Sequence, residues 1–374
     1  MNTDRIRLPA AFDRRTKRLL HRLRPGWAAV VDHRGIDRTS ALALIERRAG
    51  AVVNFQPSAP PDGPAFGAAL LLAAGIPLFD VLPGEDRTAA YRAVLAAEAG
   101  RRRLTFFFHP RQSVQNAQLG SVPVRLRAVG AADVVQAVRR DAEAFPGRFL
   151  AFVQNTAERM RKEGAHFLTP LEVPELRAAF GRVAVVVARS PGAPEALRRL
   201  LPVVAAFAGK APPYWAAVDG GADHLLRLDL PIDLLVGDMD SAGAAALRVA
   251  ALRIVHAYPD GRAPGERRLR ALGLSYRVVP SPGTSEDLAV RLVADGGARL
   301  ILLFGNGADF LAARERGRAG VAGALLVRLL YGDRIVDLSA AGTGFVLSAL
   351  ADRSGRATET ADSPPAPGRR GGAW

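Results

Sequence analysis

From residue 182 to residue 305 the chain repeats one unit: a short run of consecutive apolar residues, a turn, then a stretch of helical periodicity. The runs are VAVVVA (183–188), YWAAVD (214–219), IDLLVGD (232–238), RIVHAY (253–258), SYRVVP (275–280) and RLILLFG (299–305). Helices are predicted between them at 193–207, 221–229, 242–251, 264–272 and 285–295. Apolar runs without polar alternation belong to strands buried on both faces. Strands alternating with helices build a parallel, doubly wound sheet, and such sheets bind ligands at the carboxyl ends of their strands. The chemistry of this chain is therefore expected in the turns that follow the runs.

The N-terminal part repeats the pattern on a smaller scale, with strands at 27–32, 51–54 and 76–80 and helices at 39–48 and 66–74. It is read as a small α/β domain over residues 1–85. A middle segment, 86–177, holds a helix at 87–98, apolar runs at 104–109 and 122–129, and a charged helical connector from 131 to 164. The doubly wound domain occupies 178–340, and 341–374, rich in Ser, Pro, Gly and Arg towards its end, is read as a flexible tail. The basic segment 13–24, DRRTKRLLHRLR, suits an amphipathic helix ended by Pro25 and Gly26.

Composition removes several classes of function. The sequence has no cysteine, which excludes disulfides, zinc–thiolate sites, iron–sulfur clusters and a thiol nucleophile. The N-terminus carries charges throughout and lacks a signal-peptide core, and no apolar window reaches the roughly 18 residues of a spanning helix. A cytoplasmic protein is expected. The 51 Lys and Arg outnumber 36 Asp and Glu. Solvated helix faces account for such an excess, and so would an acidic partner. Without a recognised motif or a basic stripe interleaved with aromatics, nucleic acid is not expected.

Four acidic residues fall in the turns where ligands are expected. Asp219 ends a strand and is followed by Gly220 and Gly221, which would let backbone N–H groups approach an anion. Asp238 and Asp240, in GDMDS, end the next strand, and Ser241 reads as the N-cap of the following helix. Asp287 lies in the first turn of a helix after Gly283, Thr284 and Ser285. Magnesium binds through a few carboxylates together with water and phosphate oxygens, so this spacing suits phosphate transfer. An aspartate in such a place is also a common cap or dipole partner. His224 and His256 flank the cluster as single histidines without metal-ligand spacing.

The stretches DGGADHLLRL (219–228) and PIDLLVGDMDS (231–241) resemble the paired motifs of the thiamine pyrophosphokinase catalytic domain, and SEDLAVRL (285–292) is similar to its third acidic motif. The resemblance implies that Asp219, Asp238, Asp240 and Asp287 act in catalysis, the first three on magnesium. ATP or another diphosphate would be held with help from Gly220, Gly221, Ser241, Thr284 and Ser285. A broader likeness, through VDHRGIDR (31–38), AVVN (51–54), AGIPLFD (74–80), HAYPDGRAPG (256–265), GTSEDLA (283–289) and GRAG (317–320), is to the SteA family of actinobacterial cytokinetic ring proteins. It implies a role in septation or cell separation, recruitment to the septum and a membrane-bound division partner, and it leaves a homodimer open. The N-terminal unit is also similar to swivelling phosphohistidine domains, as a scaffold only.

Three functions stay open on the sequence. The first is a division protein that binds a nucleotide or diphosphate with magnesium as a structural or regulatory ligand. The second is an active pyrophosphotransferase acting on thiamine or another acceptor. GNGADF (305–310) lacks the Arg and His of the kinases' late motif, and Val290 stands where they place a lysine, which favours the first. The third is an interaction scaffold with a relic site, its working surfaces being the basic segment and the Arg-rich tail.

Overall fold

The computed structural model describes residues 6–340 except 15, 61, 62, 64, 100–103, 110, 111, 191, 306–309 and 316. The expected tail and most of GNGADF lie outside the described residues.

The N-terminal part is a closed barrel of seven strands. Strands β1 (Ile6–Phe12), β2 (Ala28–Val31), β3 (Ala51–Asn54) and β4 (Leu78–Val81) run parallel. Strands β5 (Leu104–Phe108), β6 (Val114–Leu119) and β7 (Val122–Ala128) form an antiparallel meander whose ends pair with β1 and β4. The short helix α1 (Thr16–Arg22) takes up the basic segment. Helices α2 (Arg38–Glu46) and α3 (Phe66–Ala73) lie outside, and α4 (Glu85–Ala99) packs with the meander. Strand residues alternate between two cores: Ala28, Val30 and Val53 pack with Phe106 and Phe108, while Ala29, Val31 and Val52 pack with Leu44 and Leu71 of the outer helices. The boundary expected at residue 85 therefore does not separate two units. Hydrogen bonding runs across it, because β5 and β7 supply the partners that β1 and β4 would otherwise lack at their edges.

The connector is one helix, α5 (Ala131–Leu168), with Pro146 inside it. Val134, Ala137, Asp141, Phe152, Thr156 and Phe167 are buried at helical spacing, and the helix packs on α3 of the barrel and on α12 (Ala322–Tyr331) of the second domain.

The second domain is a parallel sheet of seven strands: β8 (Val183–Ala188), β9 (Tyr214–Val218), β10 (Leu234–Gly237), β11 (Leu252–Ala257), β12 (Arg277–Pro280), β13 (Leu300–Phe304) and β14 (Ile335–Asp337). Their spatial order is β12-β11-β10-β9-β8-β13-β14. Alternate residues of one strand enter opposite cores: Tyr214 and Ala216 pack with Leu288 and Val293 of α10 (Ser285–Asp295), whereas Trp215 and Ala217 pack with Leu197 of α6 (Ala193–Ala208) and Leu225 of α7 (Ala222–Arg227). Helices thus cover both faces, as the unalternated apolar runs require. Chain order reverses between β8 and β13, where a doubly wound sheet opens its crevice. No helix among the described residues is long and apolar enough to cross a membrane.

Candidate functional site

A cleft of about 1310 Å³ opens at the carboxyl ends of β8 to β12. Its floor carries Arg189, Asp219, Asp238, Asp240 and Ser241, one wall is the start of α10, and the facing wall comes from α1, α2 and α5. The site is therefore built between the barrel and the sheet.

Asp219 closes β9 with φ 47°, a left-handed conformation that costs a non-glycine residue roughly 1–2 kcal/mol. Its carboxylate lies over Gly237, where a Cβ would stand 1.9 Å from Oδ1, and it accepts the Met239 N–H at 3.2 Å. Met239 is left-handed too, at φ 62°, with its side chain buried. Between and beyond these two residues, Asp238 and Asp240 point outward and are exposed, and Asp238 Oδ1 accepts the Asp240 N–H at 3.0 Å. Two arginines clamp the carbonyls of this acidic loop. Arg189 donates to Ser241 O at 2.9 Å, and Arg268, from α9 (Glu266–Ala271), donates to Met239 O and, at 2.6 Å, to Ala242 O. Strain of this kind persists only where surrounding contacts enforce it, and it concentrates at ligand sites.

The neighbouring residues differ from their expected roles. Gly220 N–H is donated to Ser241 Oγ at 3.2 Å, and a Cβ at Gly220 would stand 2.1 Å from Arg189 Nε. Gly221 likewise packs on Val187 O, with 2.0 Å left for a Cβ. These glycines let the single turn of 3-10 helix at Asp219–Gly221 lie against β8 and Arg189, and the Gly220 amide is not free for an anion. Ser241 does not cap a helix. Helix α8 (Ala244–Val249) begins after Gly243, whose N–H goes to Asp223 Oδ1 at 2.9 Å. Asp223 also pairs with Arg189 at 3.2 Å, so it is a structural carboxylate that motif reading missed.

Asp287 lines the cleft but forms half of a capping box. Its Oδ2 accepts the Thr284 N–H at 2.8 Å, and its own N–H goes to Thr284 Oγ1 at 3.1 Å. Burial pushes its carboxyl pKa up, against the pull of the Thr284 hydrogen bonds and of Arg318 and Arg328. Thr284 is thereby committed as well. Ser285 Oγ lies 3.1 Å from His256 Nδ1, and His256 Nε2 is 2.9 Å from the Ser281 carbonyl. Burial lowers the His256 pKa, opposed by the Ser281 hydrogen bond and by the charges of Asp287 and Asp238. His224 is buried and its Nε2 has no hydrogen-bond partner among the described residues, while Nδ1 faces Arg227 at 3.3 Å. Burial first, then Arg227 and Arg189, push its pKa down to about 3.

The exposed carboxylates of Asp238 and Asp240, with Asp219 behind them, are hard oxygen donors suited to a magnesium ion that keeps water and phosphate ligands. Among the described residues no group of three or more His, Asp and Glu side chains is gathered around an ion-sized space. The donor set fits a metal brought in by its phosphate ligand, not a closed protein cage. His33, at the barrel end, is held by Thr16 Oγ1 at 2.6 Å and by Asn54 on both backbone groups.

No protein-family model matches the chain, and a search of curated proteins returns no match.

Proposed function

We propose that this is a cell-division protein whose cleft binds a nucleotide or other diphosphate, with magnesium, as a structural or regulatory ligand. The observation that carries the ligand is the acidic loop. Two left-handed residues and two arginine clamps hold Asp238 and Asp240 exposed over a cleft at the carboxyl ends of a parallel sheet. Arg47, Arg159 and Arg318 line the same cleft and supply the positive charge that phosphates need beyond a single metal. The division role, the septal location and a membrane-bound partner rest on the SteA-like motifs of the sequence. Pyrophosphoryl transfer to thiamine is the weaker reading, because Val290 stands where the kinases place a lysine and GNGADF (305–310) lacks the Arg and His of their late motif.

Isothermal titration with ATP, with and without magnesium, tests the proposal. Wild-type protein should bind in a magnesium-dependent manner, and the Asp238→Asn/Asp240→Asn variant should lose at least tenfold in affinity. Equal binding by both, or by neither, would remove the acidic loop from the site. Release of AMP on adding thiamine would favour the transferase.

A further inference from the structure

We propose that Ser285 is a nucleophile that takes a phosphoryl group from a nucleoside triphosphate in the cleft, with His256 as its general base. The inference rests on the nucleotide reading of the cleft and adds to it a covalent step on the protein itself.

The direction of the Ser285–His256 hydrogen bond follows from their neighbours. The Ser281 carbonyl can only accept, so His256 Nε2, 2.9 Å away, carries a proton. In the neutral imidazole Nδ1 then holds a lone pair, and the hydrogen shared across the 3.1 Å contact belongs to Ser285 Oγ. Nucleophile, base and orienting acceptor thus stand in sequence at the distances of an activated hydroxyl. The orienting residue is itself fixed. Ser281 Oγ donates to Pro282 O at 3.1 Å and accepts from Arg291 Nη1 at 3.1 Å. Arg291, 1% exposed, is anchored by the carbonyls of His166 and Thr169 at the end of α5. The residue whose carbonyl orients the imidazole is thereby held in place.

Ser285 and His256 line the same cleft as Asp238 and Asp240. As Oγ attacks the γ-phosphorus, a new O–P bond forms and the bond from that phosphorus to the β,γ-bridging oxygen breaks. The serine proton passes to His256 Nδ1, and the nucleoside diphosphate leaves with the bridging oxygen. Burial opposes the imidazolium formed, and the Ser281 carbonyl with the charges of Asp287 and Asp238 offsets part of that. A magnesium ion at Asp238 and Asp240 would offset charge on the leaving diphosphate. The product is a phosphoserine at the first position of an eleven-residue helix, where its negative charge is stabilised.

The test is to incubate the full chain with magnesium and ATP, and to follow intact mass, site of modification and ADP release. Nucleotide binding is measured on the same samples. One added phosphate on Ser285 with matching ADP is expected. Ser285→Ala should abolish it, and His256→Gln, checked for an unchanged melting temperature, should slow it by about 10²–10⁴-fold. Saturating nucleotide binding with no added phosphate, or with phosphate on another residue, overturns the role of Ser285 alone. Absence of nucleotide binding overturns the reading of the cleft and the phosphoryl donor with it. Labelling of His256→Gln at the wild-type rate removes the base.

Discussion

Replacing Asp287 by asparagine and by alanine separates a helix cap from a metal ligand. The carboxylate is 5% exposed, and its Oδ2 holds the Thr284 amide at 2.8 Å. Alanine removes that acceptor. The stranded N–H costs about 1–3 kcal/mol if it finds no water. Relief of the buried charge returns part of this, so a net loss of about 1–2 kcal/mol is expected. Asparagine keeps an acceptor oxygen in place and removes the charge, so its effect should stay within about 1 kcal/mol. The pH dependence has a definite sign. Burial raises the folded-state pKa of Asp287, so wild-type protein gains from this group below the unfolded value of about 3.9 and loses that gain as pH rises through the folded value. The asparagine variant does not titrate there, so its stability relative to wild type should improve from acid towards neutral pH. Chemical denaturation at several pH values measures this, with magnesium–ATP titration alongside. If Asp287→Asn loses more than tenfold in magnesium-dependent affinity while both variants keep wild-type stability, Asp287 is a metal ligand and the capping argument is wrong.

Two further perturbations probe the framework of the site. Gly237→Ala places a Cβ at φ 155° against Asp219 Oδ1 and should cost roughly 2–4 kcal/mol from backbone strain and the lost Met239 hydrogen bond, with weakened magnesium–nucleotide binding; unchanged melting and binding would refute the packing argument. Arg38→Ala strips Glu315 of a partner at 3.0 Å that ties α2 of the barrel to α11 (Phe310–Glu315). The carboxylate is nearly buried and Arg38 a third exposed, so about 1–3 kcal/mol should be lost at pH 7. Burial already raises the Glu315 pKa, so the loss should shrink as pH falls through it, and a loss that stays constant from neutral pH down through the acid range would contradict this.

The doubly wound domain was legible because its strands are buried on both faces. Apolar runs such as VAVVVA leave no other placement, and the observed β8, β9, β10 and β13 fall inside them. The barrel was only half legible. The parallel strands β2, β3 and β4 have the same signature, but β1 (IRLPAAF) and β6 (VQNAQL) were missed, the one for its Pro9 and the other for its polar alternation. Barrel closure depends on pairing between residues about a hundred positions apart, such as Ile6 with Phe108, and no local pattern carries that. At the site, residue type marked the acidic loop, but Asp287 and Asp238 look alike in sequence. Their difference lies in which N–H groups the surrounding backbone presents to each carboxylate.

The same distinction explains why the site needs both domains. The sheet domain alone provides the acidic loop, the Ser285–His256 pair and Arg189, yet Arg47 and Arg159, which line the same cleft, come from the C-terminal cap of α2 and from the connector α5. Helix α5 is fixed at its far end by Arg291, the residue that also holds Ser281 and through it His256. Near its start, Asp141 is paired with Arg148 and with Arg314 of α11, and these pairs hold the Asp141 pKa down. A ligand that bridges Asp238 and Arg159 would therefore tie the acidic loop of the sheet to the helix that packs on both domains.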